Sequence, residues 1–281
     1  MDFYYINHNG KRVDLSDFPY LFQQGDILDW EYEYDSSSGI RNKVSNFRKG
    51  IKEFSVNLAV TCDFTIPVEK REEKWRKAVN YLMEVFEEDV LDNQEGKLCS
   101  STGYYMNCMI IGSEKSDWKM GLPIMFNTLK ILAKTPVWIK DNLFHFENSS
   151  GNVGSGKKYA YQYPYLYSGD LTNTSIINPS FYETDFLLTE YGPVLNPLVY
   201  IGGIPYLVST DLKKGERLEI DSMQGTVIKI RANGERNNMF HYRQKQPSVF
   251  TKIKPGRQEI RWPGSFPFDL TLFERRSEVA W

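Results

Sequence analysis

The sequence predicts a mainly-β protein of two domains with one long helix, and three observations carry that prediction. From Tyr182 to Trp281, short β-type runs alternate with turn signals at near-regular spacing: Tyr191-Gly192-Pro193, Gly202-Gly203, Lys214-Gly215, Gln224-Gly225, Asn233-Gly234, Pro255-Gly256 and Pro263-Gly264. That rhythm describes a two-sheet all-β module rather than a nucleotide-binding α/β fold. Upstream, Phe54, Val56, Leu58, Val60, Cys62 and Phe64 fall on every second residue, which places them on one face of a long strand. Trp75, Ala78, Val79, Leu82, Met83 and Phe86 then recur at helical spacing and form one apolar stripe. A chain of 281 residues suggests about two domains and can bury roughly three quarters of its unfolded surface.

In chain order, Tyr4 to Val13 reads as a hairpin, with Asn9-Gly10 supplying the positive-φ pair of a type I′ turn. The helix spans about 67–88, with Pro67 in its first turn, where a missing N–H costs nothing. Glu72/Arg76 and Glu73/Lys77 form i,i+4 pairs on its wet side. Strands follow over Tyr104–Ile111 and Leu122–Ala133, joined by a protruding segment from Asp117 to Pro123. The polar run from Asn148 to Gly156 reads as a connector, so the domains are expected at 1–144 and 145–281. Tyr159 to Tyr167 contains Pro164, which suits an edge strand. Later strands are expected around Phe186–Glu190, Leu198–Ile201, Tyr206–Val208, Arg217–Ile220, Thr226–Ile230, Gln258–Trp262 and Leu270–Phe273.

Composition narrows the function classes. The formal net charge is −2, whereas general nucleic-acid binders carry a basic surplus because phosphate neutralisation supplies their affinity. Three widely spaced cysteines, Cys62, Cys99 and Cys108, with no Cys-x-x-Cys, read as reduced thiols in a protein made in a reducing cytoplasm. Met1-Asp2-Phe3-Tyr4 lacks a basic n-region and an apolar h-region, so no signal peptide is expected. No run of about 18 apolar residues exists, so no membrane insertion is expected.

No motif carries catalytic chemistry. Gly151-Asn152-Val153-Gly154-Ser155-Gly156-Lys157-Lys158 nearly spells a phosphate-binding loop, but Lys158 stands where Ser or Thr must hold magnesium, and no strand–helix context surrounds it. His8, His145 and His241 make no close pair with another soft ligand, and His8 reads as a turn residue. No Gly-x-Ser-x-Gly elbow occurs. Glu87-Glu88-Asp89 sits at a helix end and reads as solvated. The expectation is a non-enzyme with no catalytic, cofactor or metal site. A sugar-binding face built from Trp262, Tyr242, His241, Asn238 and Arg243 is the competing possibility, although Trp262 alternates with Ile260 and equally fits a core position.

These residues also carry a family resemblance. In the first half it rests on Ser45-Asn46-Phe47-Arg48-Lys49 leading into Glu53-Phe54-Ser55-Val56, the helix around Trp75, and Gly121-Leu122-Pro123-Ile124-Met125-Phe126. In the second half it rests on Tyr191-Gly192-Pro193-Val194-Leu195-Asn196-Pro197 with Ile201-Gly202-Gly203, then Asn238-Met239-Phe240, Phe250 to Gly256, and Phe273-Glu274-Arg275-Arg276-Ser277-Glu278. Over nearly its whole length the chain resembles the distal tail proteins (Dit) of siphophages that infect Gram-positive bacteria, and their prophage relatives.

The resemblance implies an N-terminal β-barrel-like, tail-tube-like domain with one helix and a C-terminal galectin-like β-sandwich. It implies a homo-hexameric ring that joins the tail tube protein to a tail tip or tail-associated lysin protein. The outer domains would dock receptor-binding proteins, and DNA would pass only as cargo. The chain would reside in the tail tip or baseplate of a virion. A carbohydrate-binding module for cell-wall attachment is the alternative. The galectin sugar signature is absent, since His241-Tyr242-Arg243 and Trp262-Pro263-Gly264 do not fit it. A closed ring needs heterologous contacts, and the expected contact elements are Trp118, Lys119 and Met120 in one loop and Tyr161, Tyr163 and Tyr165 in the Tyr-rich run.

Overall fold

The computed structural model describes residues 1–38, 42–62, 65, 67–115, 124–148 and 172–280. They form two compact units: Met1–Lys140 with Arg275–Trp281, and Asp141–Glu274. The division falls at Lys140/Asp141 rather than at 144/145, and the C-terminal residues group with the first unit.

The first unit is built from β1 (Phe3–Ile6), β2 (Arg12–Asp14), β3 (Tyr20–Gly25), β4 (Glu33–Ser37), β5 (Lys43–Arg48), β6 (Lys52–Thr61), α1 (Val68–Leu91), β7 (Gly96–Ser100), β8 (Tyr105–Lys115), β9 (Ile124–Ala133) and the start of β10 (Trp138–Phe146). The antiparallel path runs β2-β1-β7-β8-β9-β6-β3. Strand β8 is the corner. Its first half pairs with β7 and its second half with β9, with a bulge between Ile110 and Gly112. Such a bulge lets one strand serve two sheets.

Every second residue of β6 enters the core, as the period predicts: Phe54, Val56, Leu58 and Val60 are all buried. Cys62 is buried just beyond the strand end, and Phe64 lies outside the described residues. The helix lays Leu82, Val85 and Phe86 into the same core, with Trp75, Ala78, Val79 and Met83 partly buried beside them. The Phe86 ring meets Tyr5 edge-on at 5.4 Å. Pro67 is the residue capping α1, with φ −54° and ψ 140°, one place earlier than the first-turn position expected.

The β1–β2 connection also differs from its expected form. Gly10 has φ 84°, but Asn9 is not in the left-handed region. The Gly10 amide donates to the Asn7 carbonyl and the Asn7 amide to the Lys11 carbonyl, each at 2.9 Å. This is a turn closed by one left-handed glycine, not a two-residue type I′ turn. Asn233-Gly234 repeats it, with the Gly234 amide donating to Arg231 and the Arg231 amide to Glu235. A three-residue loop lets Asn stay in the ordinary region and asks only glycine for positive φ.

The second unit contains the rest of β10 and β11 (Thr172–Asn178), β12 (Asp185–Tyr191), β13 (Val194–Leu195), β14 (Leu198–Ile201), β15 (Ile204–Leu207), β16 (Asp211–Leu212), β17 (Arg217–Asp221), β18 (Thr226–Ile230), β19 (Arg236–Asn238), β20 (Gly256–Trp262) and β21 (Phe268–Arg276). One sheet runs β19-β18-β17-β12-β21 and the other β11-β20-β14-β15. Phe186, Leu188, Leu218, Ile220 and Val227 from the first meet Ile176, Val199, Ile201, Ile260 and Trp262 from the second in one buried cluster. Inward residues alternating on two facing sheets make this a β-sandwich.

Candidate assembly surface

The first unit exposes an amphipathic two-stranded ribbon. Strands β4 and β5 pair only with each other, and every residue of both is exposed. The polar face carries Arg48, whose Nε reaches Glu33 and whose Nη1 reaches Asp35, both at 3.1 Å. Asn46 sits at φ 55° in a register shift and donates to Asp35 at 3.0 Å. This bulge brings Phe47 beside Tyr34, ring centroids 6.1 Å apart. Register places Ser36 opposite Val44 on that same face, so Tyr34, Val44 and Phe47 form an apolar stripe in solvent. Isolated two-stranded ribbons are marginal in water.

A hollow of about 420 Å³ lies on the same unit, between the last turns of α1 and strand β8, lined by Met83, Phe86, Glu87, Val90, Leu91, Ile110 and Ile111 among others. The β8 bulge creates part of it: Ile110 is buried while its neighbour Ile111 is 40% exposed. Leu91 is 82% exposed.

The end of α1 is strongly acidic, and its last turn has no basic residue, an arrangement the helix dipole disfavours. The β1–β2 turn supplies the missing cations. Lys11 pairs with Glu84 at 3.0 Å and also with Glu88. His8 reaches Asp89 through Nδ1 at 2.5 Å and Asp92 through Nε2 at 3.1 Å. Asp89 is wholly buried and also accepts from the Tyr5 hydroxyl at 2.5 Å and the His8 amide at 2.9 Å. Asn7 donates to Glu88 at 2.7 Å. The Asp89 hydrogen bond holds the His8 imidazole above its ordinary pKa, with burial opposing. The Glu87-Glu88-Asp89 triplet is therefore not a wholly solvated helix end: Glu87 faces water, Glu88 is half-buried against Lys11 and Asn7, and Asp89 is a structural anion. A side chain at Gly96 would collide with Asp89 and Tyr5, so glycine is required beside this anion. Both His8 nitrogens are engaged by carboxylates, which leaves the ring as a staple rather than a base.

In the second unit, Asp269 bonds His145 on one oxygen and accepts from the Tyr191 hydroxyl at 2.7 Å on the other. The competing sugar-binding face loses its tryptophan. Trp262 is 4% exposed, packed against Phe146 and Phe268, so it fills the core. Arg243 lies 3.4 Å over the Phe240 ring, and Asn238 accepts from the Phe240 amide. Of its rings, Tyr242 (58% exposed) and His241 stay open to solvent. Among the described residues no group of His, Cys, Asp and Glu could hold a metal ion, and no helix is long and apolar enough to cross a membrane. The three thiols are free and buried; burial pushes Cys99 and Cys108 up.

The sequence-derived contact residues Trp118, Lys119, Met120, Tyr161, Tyr163 and Tyr165 lie outside the described residues, as do the edge strand over 159–167 and the phosphate-loop-like stretch after residue 150. The ribbon was missed by pattern reading because neither strand alternates buried with exposed. The available signal was four aromatics within Trp30–Phe47 interleaved with charge.

No protein-family model and no curated protein matches the sequence. Solved structures do. The chain is similar to SPP1 Dit (gp 19.1), described as a paradigm of the hub adsorption apparatus in phages infecting Gram-positive bacteria. The identity is 13% and the TM-score 0.60, over 98% of this chain and 99% of that one. It is also similar to chains of the phage P2 baseplate in its activated conformation, with calcium (13%, TM-score 0.59) and with strontium (14%, TM-score 0.60), over 99% of both chains in each case. At these identities the likeness establishes the fold: this chain has the fold of Dit-type distal tail proteins.

Proposed function

We propose that this chain is a non-enzymatic structural hub of a siphophage tail tip, a distal tail protein that assembles into a hexameric ring. The observation that carries the reading is coverage. Both units, and nearly every residue of the chain, align with SPP1 Dit with almost nothing left over on either side. A shared single domain would leave the function open; a match whose coverage takes in both units narrows it. The exposed apolar ribbon and hollow support the reading, because large apolar patches rimmed by charge mark interaction surfaces. In this reading the first unit forms the ring wall, which joins the tail tube protein to the tip or tail-associated lysin protein. The sandwich unit faces outward to receptor-binding proteins, and DNA passes through the ring as cargo. The carbohydrate-binding alternative loses its aromatic platform once Trp262 is in the core.

Light scattering with negative-stain electron microscopy of the purified chain tests this. The expected result is a hexamer, or two stacked hexamers, visible as rings with an open centre. Monomer alone at high concentration, without rings, overturns it.

A further inference from the structure

We infer that strand β11 of one copy pairs edge to edge, antiparallel, with β11 of a second copy, about a two-fold axis through Ser175. This goes beyond the hub reading, and the partner is the chain itself. β11 is the outer strand of the sheet β11-β20-β14-β15. It pairs with β20 along its whole length without a register shift. The Gly202 amide donates to the Glu259 carbonyl at 2.8 Å, so Glu259 turns its backbone groups toward β14. Ser175 stands opposite Glu259 and therefore turns its own N–H and C=O away from β20. The alternation of an antiparallel ladder does the same for Asn173 and Ile177. These three residues line up their N–H and C=O groups along the edge, with no partner among the described residues.

Other edges of the molecule are blunted. β2 and β19 are three residues long, β15 carries Pro205, and β3 is broken by a bulge. The β4–β5 ribbon is bulged and charged. β11 has none of these devices. Its seven residues, Thr-Asn-Thr-Ser-Ile-Ile-Asn, hold no charge and no proline, and Ile177 is 67% exposed. A long unguarded edge is a template for another strand.

The register selects a second copy. Centring the pair on Ser175 sets Ser175 against Ser175 and Asn173 against Ile177, so every outward backbone group meets an outward group of the mate. No like charges are opposed on the paired strands, because β11 has none. Arg257, Glu259 and Arg261 lie one strand back on β20, about 14 Å from the matching strand of the mate across three strand spacings, where salt screens them. Such an isologous contact closes at two copies, so it stands apart from the head-to-tail contact that a ring needs.

Cysteine variants of the full chain under mild oxidation test the register. Ser175→Cys should give a disulfide dimer, since opposed residues of a bonded pair hold their Cα atoms about 5.5 Å apart, within disulfide range. Asn173→Cys should not, because its twin lies four residues along the ladder, roughly 13 Å away. The native thiols are buried and do not compete. No dimer from Ser175→Cys, or equal dimer from both variants, overturns the contact. Amide exchange gives the second readout. Protection at Asn173, Ser175 and Ile177 should rise with protein concentration. Protection that ignores concentration puts a strand of the same chain on the edge, and no protection leaves the edge bare; either overturns the contact. Proline is tolerated on an edge strand where its nitrogen faces outward, so Ser175→Pro should fold as judged by circular dichroism. It should need roughly tenfold more protein for the same protection at Asn173 and Ile177, having lost two interchain bonds; a folded variant protected like the wild type counts against the pairing. Rings without the Ser175→Cys disulfide sink this contact and leave the hub reading intact. The disulfide dimer without rings keeps the contact and sinks the hexamer.

Discussion

Glu190 carries a carboxyl into the core of the second unit. The residue is 0% exposed, and neither oxygen has a hydrogen-bond partner among the described residues. It lies on β12 in phase with the buried Phe186 and Leu188, opposite Leu218 and Phe268. Burial pushes its pKa from 4.5 up to about 8, since a buried carboxylate without a partner prefers to stay neutral. Below pH 4.5 the folded and unfolded chains both hold this proton. Between 4.5 and 8 the unfolded chain releases it and the folded chain keeps it, so stability falls as pH rises through that window. At about 1.4 kcal/mol per pKa unit, the loss is on the order of several kcal/mol. Glu190→Gln keeps the shape and removes the titration. Denaturation from pH 5 to 8 should show the variant gaining on the wild type as pH rises, and parallel curves would refute this account. Sequence reading could not see the residue, because Phe186–Glu190 reads as an apolar strand ending in a polar residue, and only the register with β17 and β21 reveals that Glu190 points inward.

Between elements, the β1–β2 turn and the end of α1 depend on each other. The helix brings four carboxylates to a dipole end that disfavours them, and the turn brings His8 and Lys11. Because His8 is held above its ordinary value by Asp89, its contribution is fully present below about pH 6.5 and is lost as pH rises through the raised pKa. The charged and polar groups that face it are Asp89 and Asp92 from the helix end and Tyr5, through Asp89, from β1. A His8→Gln variant should melt below the wild type at pH 5.5, with the gap narrowing by pH 8; a gap constant with pH would mean that packing, not charge, holds the turn. The elements themselves were largely legible. Strand β6 and helix α1 announce themselves by periods of two and 3.6 residues, because each packs one face on a core. Strands β14 and β18 match their expected limits because turns bound them on both sides. The ribbon left no such trace, since a strand exposed on both faces has no burial to alternate. The anionic role of Asp89 also escaped, because its partners sit more than eighty positions away.

For the whole molecule, the relevant quantity is charge. The chain holds 34 basic and 36 acidic residues, and many of the basic ones are committed within their own unit, as Lys11, Arg48 and Lys130 are. Affinity for duplex DNA comes chiefly from cations that displace condensed counterions, one phosphate at a time. A ring through which DNA must slide needs few such contacts, because each would have to break during transit. The proposed hub should therefore leave duplex DNA unretarded in a gel-shift assay at about 150 mM salt, where non-specific binders with six or more phosphate contacts still hold micromolar affinity. Lowering the salt to about 20 mM should at most produce weak retention, since long-range attraction grows as screening falls. Tight binding with a steep salt slope would place a concentrated basic track on the assembled surface, and the picture of DNA as untouched cargo would have to be abandoned for one of an active DNA clamp.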